Sequence, residues 1–286
     1  MNFINFISSA FSILFISLCI VSSNFLNLWL FLELYVLSIV PCFFNSYQFL
    51  NSYKSLLYYL VVSCISGGLF FIGLLFLNNT GYLFMLFSFL IKFCLFPLGI
   101  WLYIVFSNCT WLVIWLIGVV GKIMTPLSFY LFNSDNTNLY LILSLLLILT
   151  HIFNSLYFWL GNSNLKLLWC NVSINSGCMI FFIFFNGNSF SWLFLIYYLV
   201  WSSYNVLIYY YINLNLNNLL TSFNVLLILL GIPFSLGLLY KILLIICLMQ
   251  LNISWFLLFS IFFYNIVEQY FIIKFFGYQL SSLVYK

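Results

Sequence analysis

The sequence predicts an all-α polytopic membrane protein, with about ten transmembrane helices in two inverted five-helix repeats that each contain one discontinuous helix. Three observations lead to this fold class. Hydrophobic residues make up 66% of the 286-residue chain and charged residues only 3%, whereas soluble domains carry about 25% charged residues. Apolar segments of about twenty residues follow one another along the whole chain. Two of these segments are interrupted at corresponding places in the two halves.

Short links rich in Asn, Ser and Gly separate the apolar segments and define the predicted spans. The clearest links are NSDNTN at 133–138, GNSN at 161–164, NGNS at 186–189 and NLNLNN at 213–218. The predicted spans cover 2–23, 25–44, 53–77, 82–106, 110–132, 138–160, 166–185, 190–212, 222–249 and 252–273. No soluble domain interrupts them, so the chain is predicted to form a single transmembrane domain over residues 1–286.

The fourth and ninth predicted spans are expected to be broken helices. In the fourth, Pro97 follows Lys92 by five residues, and in the ninth, Gly231 and Pro233 precede Lys241. Proline removes a backbone donor and glycine loosens the turn, so each helix is expected to open there. Open backbone at membrane depth is tolerated only where it is buried in protein or lines a wet cavity. Interrupted helices of this kind point to a transport site.

The breaks divide the chain into two repeats, at about 1–135 and about 136–286. Each half has five predicted spans with its break in the fourth, and because five is odd, the second half enters the membrane from the opposite side.

An even number of spans places both termini on one side of the membrane. Lys54, Lys166, Lys274 and Lys286 fall on that side, and Asp135 falls on the other. This one-sided distribution of lysines follows the positive-inside rule.

Four ionisable residues interrupt long apolar runs: Glu33, Lys92, Lys122 and Lys241. An ionisable side chain at the bilayer centre costs about 3 kcal/mol on insertion scales, so such residues indicate a path for protons or ions. A desolvated lysine gives up its proton more readily and keeps it beside a carboxylate. We therefore expect Lys92 to be the partner of Glu33. The alternative is that these residues form structural ion pairs that hold the helices together.

Three further ionisable residues are interpreted individually, and two of them allow more than one interpretation. His151 in the sixth span could bridge the two halves of a proton relay or satisfy a backbone carbonyl. Lys166 stands at the start of a span, where its ammonium can reach the interface, and a proton role on the side of the membrane that holds the termini is the other interpretation. Glu268, near the end of the last span, is expected to be an interface residue.

The composition excludes several classes of protein. One histidine is too few for the haem or copper sites of membrane oxidoreductases. The absence of Arg disfavours the rotary ATP synthase channel subunit, and a net charge of +4 spread over the spans gives no nucleic-acid footprint. The eight cysteines form no CxxC pair and are interpreted as apolar filler. No metal, no cofactor and no redox chemistry are expected in this chain.

Four motifs, taken in order, resemble the antiporter-like membrane subunits of respiratory complex I, a family shared with multisubunit cation/proton antiporters. They are LWLFLELYVLSIVP with Glu33, IKFCLFPLGIWLYIV with Lys92, WLVIWLIGVVGKIMTPLSFYL with Lys122, and LLILLGIPFSLGLLYKILLI with Lys241. The segment NLKLLWCNVSINSGCMIFF resembles the Ser-rich stretch of the family, although Asn175 stands where the family often has His. The second break reads Pro233-Phe234, where the family often has Pro-Pro.

The resemblance implies a core membrane subunit of mitochondrial complex I that takes part in proton translocation coupled to electron transfer from NADH to ubiquinone. It implies a proton path through Glu33, Lys92, Lys122 and Lys241, with water and His151 between them. The implied partners are other membrane subunits of the complex, lipids, protons and internal water, without nucleic acid. The implied location is the mitochondrial inner membrane with both termini on the matrix side, and the heavy use of Phe, Tyr and Asn fits an AT-rich organelle genome.

Two alternatives stay open. The chain could be another antiporter-like complex I subunit or a cation/proton antiporter subunit, which would use the same residues. It could also be a structural membrane scaffold without a proton path of its own.

Overall fold

The regular elements of the chain are helical, which confirms the predicted all-α class. The computed structural model describes residues 3–22, 24–44, 49–76, 79–131, 137–159, 164–187, 190–214, 235–251 and 254–284, and no strand occurs within these ranges. The helices are α1 Phe3–Val21, α2 Phe25–Phe43, α3 Phe49–Leu75, α4 Asn79–Lys92, α5 Ile100–Asn108, α6 Trp111–Gly118, a 3-10 segment at Val120–Met124, α7 Pro126–Leu131, α8 Thr137–Trp159, α9 Leu165–Phe185, α10 Ser191–Leu214, α11 Leu236–Met249 and α12 Trp255–Val284.

The chain is a multi-pass membrane protein. Among the described residues, eight segments are long and apolar enough to cross a membrane: Phe3–Val21, Phe25–Phe43, Leu50–Leu75, Trp111–Ser128, Tyr140–Trp159, Leu165–Phe185, Ser191–Leu214 and Trp255–Lys274. Two shorter apolar helices, Thr80–Lys92 and Leu236–Met249, lie in the fourth and ninth predicted spans. Large apolar side chains point outward along many of these helices, as expected where lipid is the solvent.

Serine is tolerated in these apolar helices because its hydroxyl bonds within its own helix. Ser12 donates to the carbonyl of Ser9 at 2.7 Å, Ser55 to Ser52 at 2.8 Å and Ser144 to Leu141 at 2.8 Å. A hydroxyl that donates to the preceding turn leaves no unsatisfied polar group in the hydrocarbon region.

Helix α9 is the central helix of the bundle. Within its candidate span, 94% of the residues are buried inside the protein. It packs against α5, α6 and α7 on one side and against α8 and α10 on the other. Polar groups on α9 are therefore shielded from lipid and can face helices of both halves.

The same neighbour relations occur in the two halves of the chain. The pairs α1·α2, α2·α3 and α3·α4 are matched by α8·α9, α9·α10 and α10·α11. Helix α1 also contacts the 3-10 segment of the fifth predicted span, and α8 contacts α12, which forms the tenth. Two five-helix repeats would produce this pattern, and their inverted relation stays a prediction.

Candidate functional site

Lys92 and Lys122 line one cavity near the centre of the first half. This central cavity has a volume of about 70 Å³ and is walled by α2, α3, the end of α4, α5, α6 with the 3-10 segment, and α9. Its polar wall consists of Tyr35, Tyr59, Ser63, Ser66, Lys92, Lys122 and Ser173. A water molecule needs about 10–15 Å³ and two to four polar partners, so the central cavity can hold several waters between the two lysines.

Glu33 lies on α2 beside the central cavity, half-buried. Its carboxylate lies within electrostatic range of the ammonium of Lys92. The carboxylate rests on the backbone of α3 at Gly67, where a Cβ atom would collide with its Oε1. Trp29 Nε1 donates to the Gly67 carbonyl at 3.2 Å and ties α2 to α3 at this point. The glycine therefore provides the space in which Glu33 approaches Lys92.

Lys92 stands at the end of α4, and the chain opens immediately after it. Helix α5 begins only at Ile100, so Pro97 lies in the non-helical connection. The carbonyl of Ile91 accepts from the backbone N–H of Cys94 at 3.2 Å and from Trp101 Nε1 at 3.3 Å, so the side chain of Trp101 also holds the end of α4. The backbone at Cys94 has a φ of 60°, a left-handed conformation that is uncommon for a residue other than glycine.

Lys122 is buried, with 7% of its surface exposed, and is held by three neutral acceptors. Its ammonium donates to the carbonyl of Ser173, to Ser176 Oγ at 3.0 Å and to Tyr198 OH at 2.8 Å. Its stem lies over Gly177 of α9, where a Cβ atom would stand 2.8 Å from Lys122 Cε. All of these partners belong to the second half of the chain.

The fifth predicted span is also irregular, which the sequence interpretation did not anticipate. Helix α6 ends at Gly118, and the 3-10 segment at Val120–Met124 carries Lys122 before α7 begins at Pro126. Pro126 has no N–H to donate, and Gly118 before the 3-10 segment and Gly121 within it lower the helix propensity. Buried tyrosines donate hydrogen bonds to backbone carbonyls near the interruption. Tyr35 OH donates to Leu116 O at 2.8 Å, and Tyr198 OH donates to Gly118 O at 3.2 Å.

Lys241 lies in the second turn of α11 and lines a smaller second cavity of about 20 Å³. Ser235 caps this helix, because its Oγ accepts from the N–H of Leu238 at 3.2 Å. Gly231 and Pro233, the predicted break residues, lie outside the described residues. The second cavity is also lined by Ser176, which bonds Lys122. Ser176 thus stands between Lys122 and the cavity of Lys241.

His151 on α8 is fully buried at 1% exposure and adjoins the second cavity. Its ring lies beside Asn175, which lines that cavity. The Tyr264 ring lies 5.8 Å from it, centroid to centroid. Among the described residues, neither ring nitrogen has a hydrogen-bond partner within 3.5 Å. No backbone carbonyl in the described part of the chain accepts a hydrogen bond from His151, and its role in a relay stays a prediction.

The remaining charged residues occupy peripheral or unexpected positions. Lys166 donates to the carbonyl of Cys109 at 2.6 Å, so it caps the end of α5. Lys54 and Lys274 are exposed and lie within α3 and α12 rather than in links, whereas Asp135 and Lys286 fall outside the residues whose side chains are described. Glu268 is buried inside the helix bundle at 8% exposure, so its side chain faces protein; its expected place near the membrane interface stays a prediction.

Four functional candidates escaped the sequence interpretation, namely Tyr35, Ser173, Ser176 and Tyr198, and Glu268 was interpreted there only as an interface residue. A signal was present for the serines, because they stand among Asn171 and Asn175 inside an otherwise apolar segment. No group of three or more His, Cys, Asp or Glu side chains among the described residues is placed to hold a metal ion. The candidate site consists of amine, carboxylate and hydroxyl groups, which carry protons.

Comparison with known proteins identifies the fold. No protein-family model matches the sequence. No curated protein matches it either. A chain of the membrane-bound sulfane sulfur reductase, an archaeal respiratory membrane complex, superposes with a TM-score of 0.72 at 17% identity, over 88% of this chain and 61% of that chain.

Two further solved structures agree. A chain of respiratory complex I from Thermus thermophilus with bound aureothin gives a TM-score of 0.78 at 16% identity, over 98% of this chain and 71% of that chain. A chain of the Mrp complex from Dietzia sp. DQ12-45-1b gives 0.74 at 14% identity, over 88% and 56%. This chain has the fold that the three matched chains share. It is shorter than each of the three matched chains.

Proposed function

We propose that the chain is a proton-translocating membrane subunit of mitochondrial respiratory complex I, the counterpart of subunit 2 of NADH:ubiquinone oxidoreductase. The observation that carries this proposal is the central cavity, in which two membrane-embedded lysines face a common space large enough for water. The fold shared with a chain of complex I supports the same assignment. The ordered motifs around Glu33, Lys92, Lys122 and Lys241 support subunit 2 in particular.

The proposed path begins at Glu33 and Lys92. Before the transfer, the carboxylate of Glu33 stabilises the protonated form of Lys92. The proton then passes from Lys92 through water in the central cavity to Lys122. From Lys122 the path continues through Ser176 Oγ into the second cavity and reaches Lys241. The proposed path also includes His151, which stands beside Asn175 at that cavity.

The chain is proposed to carry protons while electrons move elsewhere in the complex. Its embedded site offers amine, carboxylate, imidazole and hydroxyl groups rather than a set of metal ligands, so no cofactor is assigned to it. The proposed location is the mitochondrial inner membrane, with both termini on the matrix side. The one-sided lysines of the sequence support this orientation.

The experiment that tests the function compares Lys92→Met and Lys122→Met with the exposed Lys54→Met in the assembled complex. Proton pumping is measured in proteoliposomes with a pH-sensitive dye, and assembly is measured by native electrophoresis. We expect the Lys92→Met and Lys122→Met variants to assemble and to lose at least about tenfold in pumping rate, while Lys54→Met pumps like the wild type. Normal pumping by both variants would overturn the proton path, and failure of both to assemble would support the scaffold alternative.

A cation/proton antiporter subunit is the second candidate, because the Mrp complex shares the fold at a TM-score of 0.74. Both functions use the same lysines, so mutation does not separate them. The dependence of transport on sodium or potassium does. A proton flux driven by NADH oxidation without an opposing cation gradient supports the complex I subunit, and a flux that requires such a gradient supports the antiporter.

A further inference from the structure

Glu268 on α12 is a buried acid that the proposed path does not use. Only 8% of its surface is exposed, although it lies in the last span of a chain with three acids in all. Its carboxylate is attracted electrostatically by the ammonium of Lys241 on α11. Both side chains line the second cavity. A carboxylate within a membrane span costs free energy, so it indicates a functional site. Lys241 is its partner here.

The surroundings of Glu268 offer hydroxyls that can relay a proton. Tyr209, Tyr240 and Tyr264 are buried and lie within electrostatic range of its carboxylate. The hydroxyl of Tyr264 has no hydrogen-bond partner among the described residues. Buried hydroxyls nearly always have a hydrogen-bond partner, so a water molecule in this region would complete the bonding of the Tyr264 hydroxyl.

Each half of the chain now has one carboxylate beside a lysine. Glu33 accompanies Lys92 in the first half, and Glu268 accompanies Lys241 in the second. Lys122 lies between the two pairs and is held by the neutral acceptors described above. The second pair is joined to Lys122 through Ser176, which bonds the lysine and lines the second cavity.

We propose that Glu268 is the proton-carrying carboxylate of the second half, acting with Lys241. In one state the carboxylate faces the Lys241 ammonium. In the other the proton has moved from the ammonium to the carboxylate, which leaves a neutral amine and a carboxylic acid. No net charge forms or disappears in this step, so it is compatible with a small cavity in lipid. The inference rests on the proposed proton translocation and extends it to a residue at the last helix.

The test uses Glu268→Gln, Glu268→Asp and Lys92→Met in the assembled complex, with pumping measured in proteoliposomes over a range of pH. We expect Glu268→Gln to lower the pumping rate by about tenfold or more and to remove one titration step from its pH profile. Glu268→Asp keeps the carboxylate and is expected to pump with a displaced profile. A purely structural role would lower the rate equally at every pH, and that result would overturn the inference.

The control variants separate this inference from the proposed function. If Glu268→Gln pumps like the wild type while Lys92→Met does not, Glu268 carries no proton and the first-half path stands. If Lys92→Met also pumps normally, the proposed function itself is wrong. Should Glu268→Gln fail to assemble, the double variant Lys241→Met/Glu268→Gln removes both charges of the pair together. A wild-type profile for the double variant or for Glu268→Asp would contradict the proposal.

Discussion

Lys122 of the first half donates a 2.8 Å hydrogen bond to the hydroxyl of Tyr198 on α10, and its ammonium lies 5.0 Å from the centroid of that ring. The same hydroxyl donates to the carbonyl of Gly118, at the interruption that places Lys122. Tyr198 therefore connects the charged group with the backbone that positions it. Because the tyrosine belongs to the second half, this pair also joins the two halves of the proposed path.

Tyr198→Phe is expected to impair pumping without preventing assembly. The substitution removes the hydroxyl partner of Lys122 and leaves the Gly118 carbonyl without its donor. Interhelical hydrogen bonds in membranes contribute about 0.6 kcal/mol on average and up to about 1.7 kcal/mol, so the helices stay packed. Proton pumping and thermal unfolding of the purified complex measure the two effects. The control is Tyr204→Phe on the exposed face of the same helix, and equal effects of the two variants would contradict the assigned role.

Gly67→Ala is expected to displace Glu33 and reduce pumping. A Cβ atom at this position collides with the Glu33 carboxylate, so the acid must move away from Lys92. The neighbouring glycine provides a matched control, because a Cβ atom at Gly68 meets nothing within 4 Å. Gly68→Ala is expected to pump normally and to gain up to about 1 kcal/mol in helix stability. Wild-type pumping by Gly67→Ala would show that the approach of Glu33 to Lys92 is not needed.

Gly177→Ala is expected to shift Lys122 with little loss of stability. The added Cβ atom would lie 2.8 Å from Lys122 Cε, near the flexible end of a long side chain that can move aside. Such a movement disturbs the bonds to Ser176 and Tyr198, so a fall in pumping at nearly unchanged unfolding temperature is expected. A large fall in unfolding temperature together with normal pumping would mean that Gly177 serves packing alone.

The sequence predicts those features of the fold that depend on local composition. Hydropathy and link residues locate the spans, and Pro97 with Gly99 predicts the opening after Lys92, because each signal lies within one segment. The interruption at Lys122 was missed although Gly118, Gly121 and Pro126 surround it, since the segment is apolar throughout. The partners of Lys122 could not be predicted at all. Tyr198 is 76 residues away, and only the packing of α9 and α10 brings it to the lysine.

Glu268 illustrates the same limit in another form. Glu268 is near the end of a long apolar segment, and this position predicts a place at the membrane interface. That prediction uses only the sequence of α12. Burial depends on the neighbouring helices, and α12 packs against α8 with Glu268 facing the second cavity. Sequence position gives the depth of a residue along a helix, but the face it occupies depends on the neighbours.

Lys166→Met is expected to lower stability and leave pumping unchanged. Its ammonium donates to the carbonyl of Cys109 at 2.6 Å and so caps the end of α5, where the last carbonyls of a helix lack partners. Loss of this bond is expected to cost about 0.6–1.7 kcal/mol, measured as a lower unfolding temperature of the purified complex. Because Lys166 bonds a backbone carbonyl and lines neither the central cavity nor the second cavity, pumping per assembled complex is expected to equal that of Lys54→Met. A pumping defect in Lys166→Met that exceeds its loss of assembled complex would favour the proton role on the matrix side.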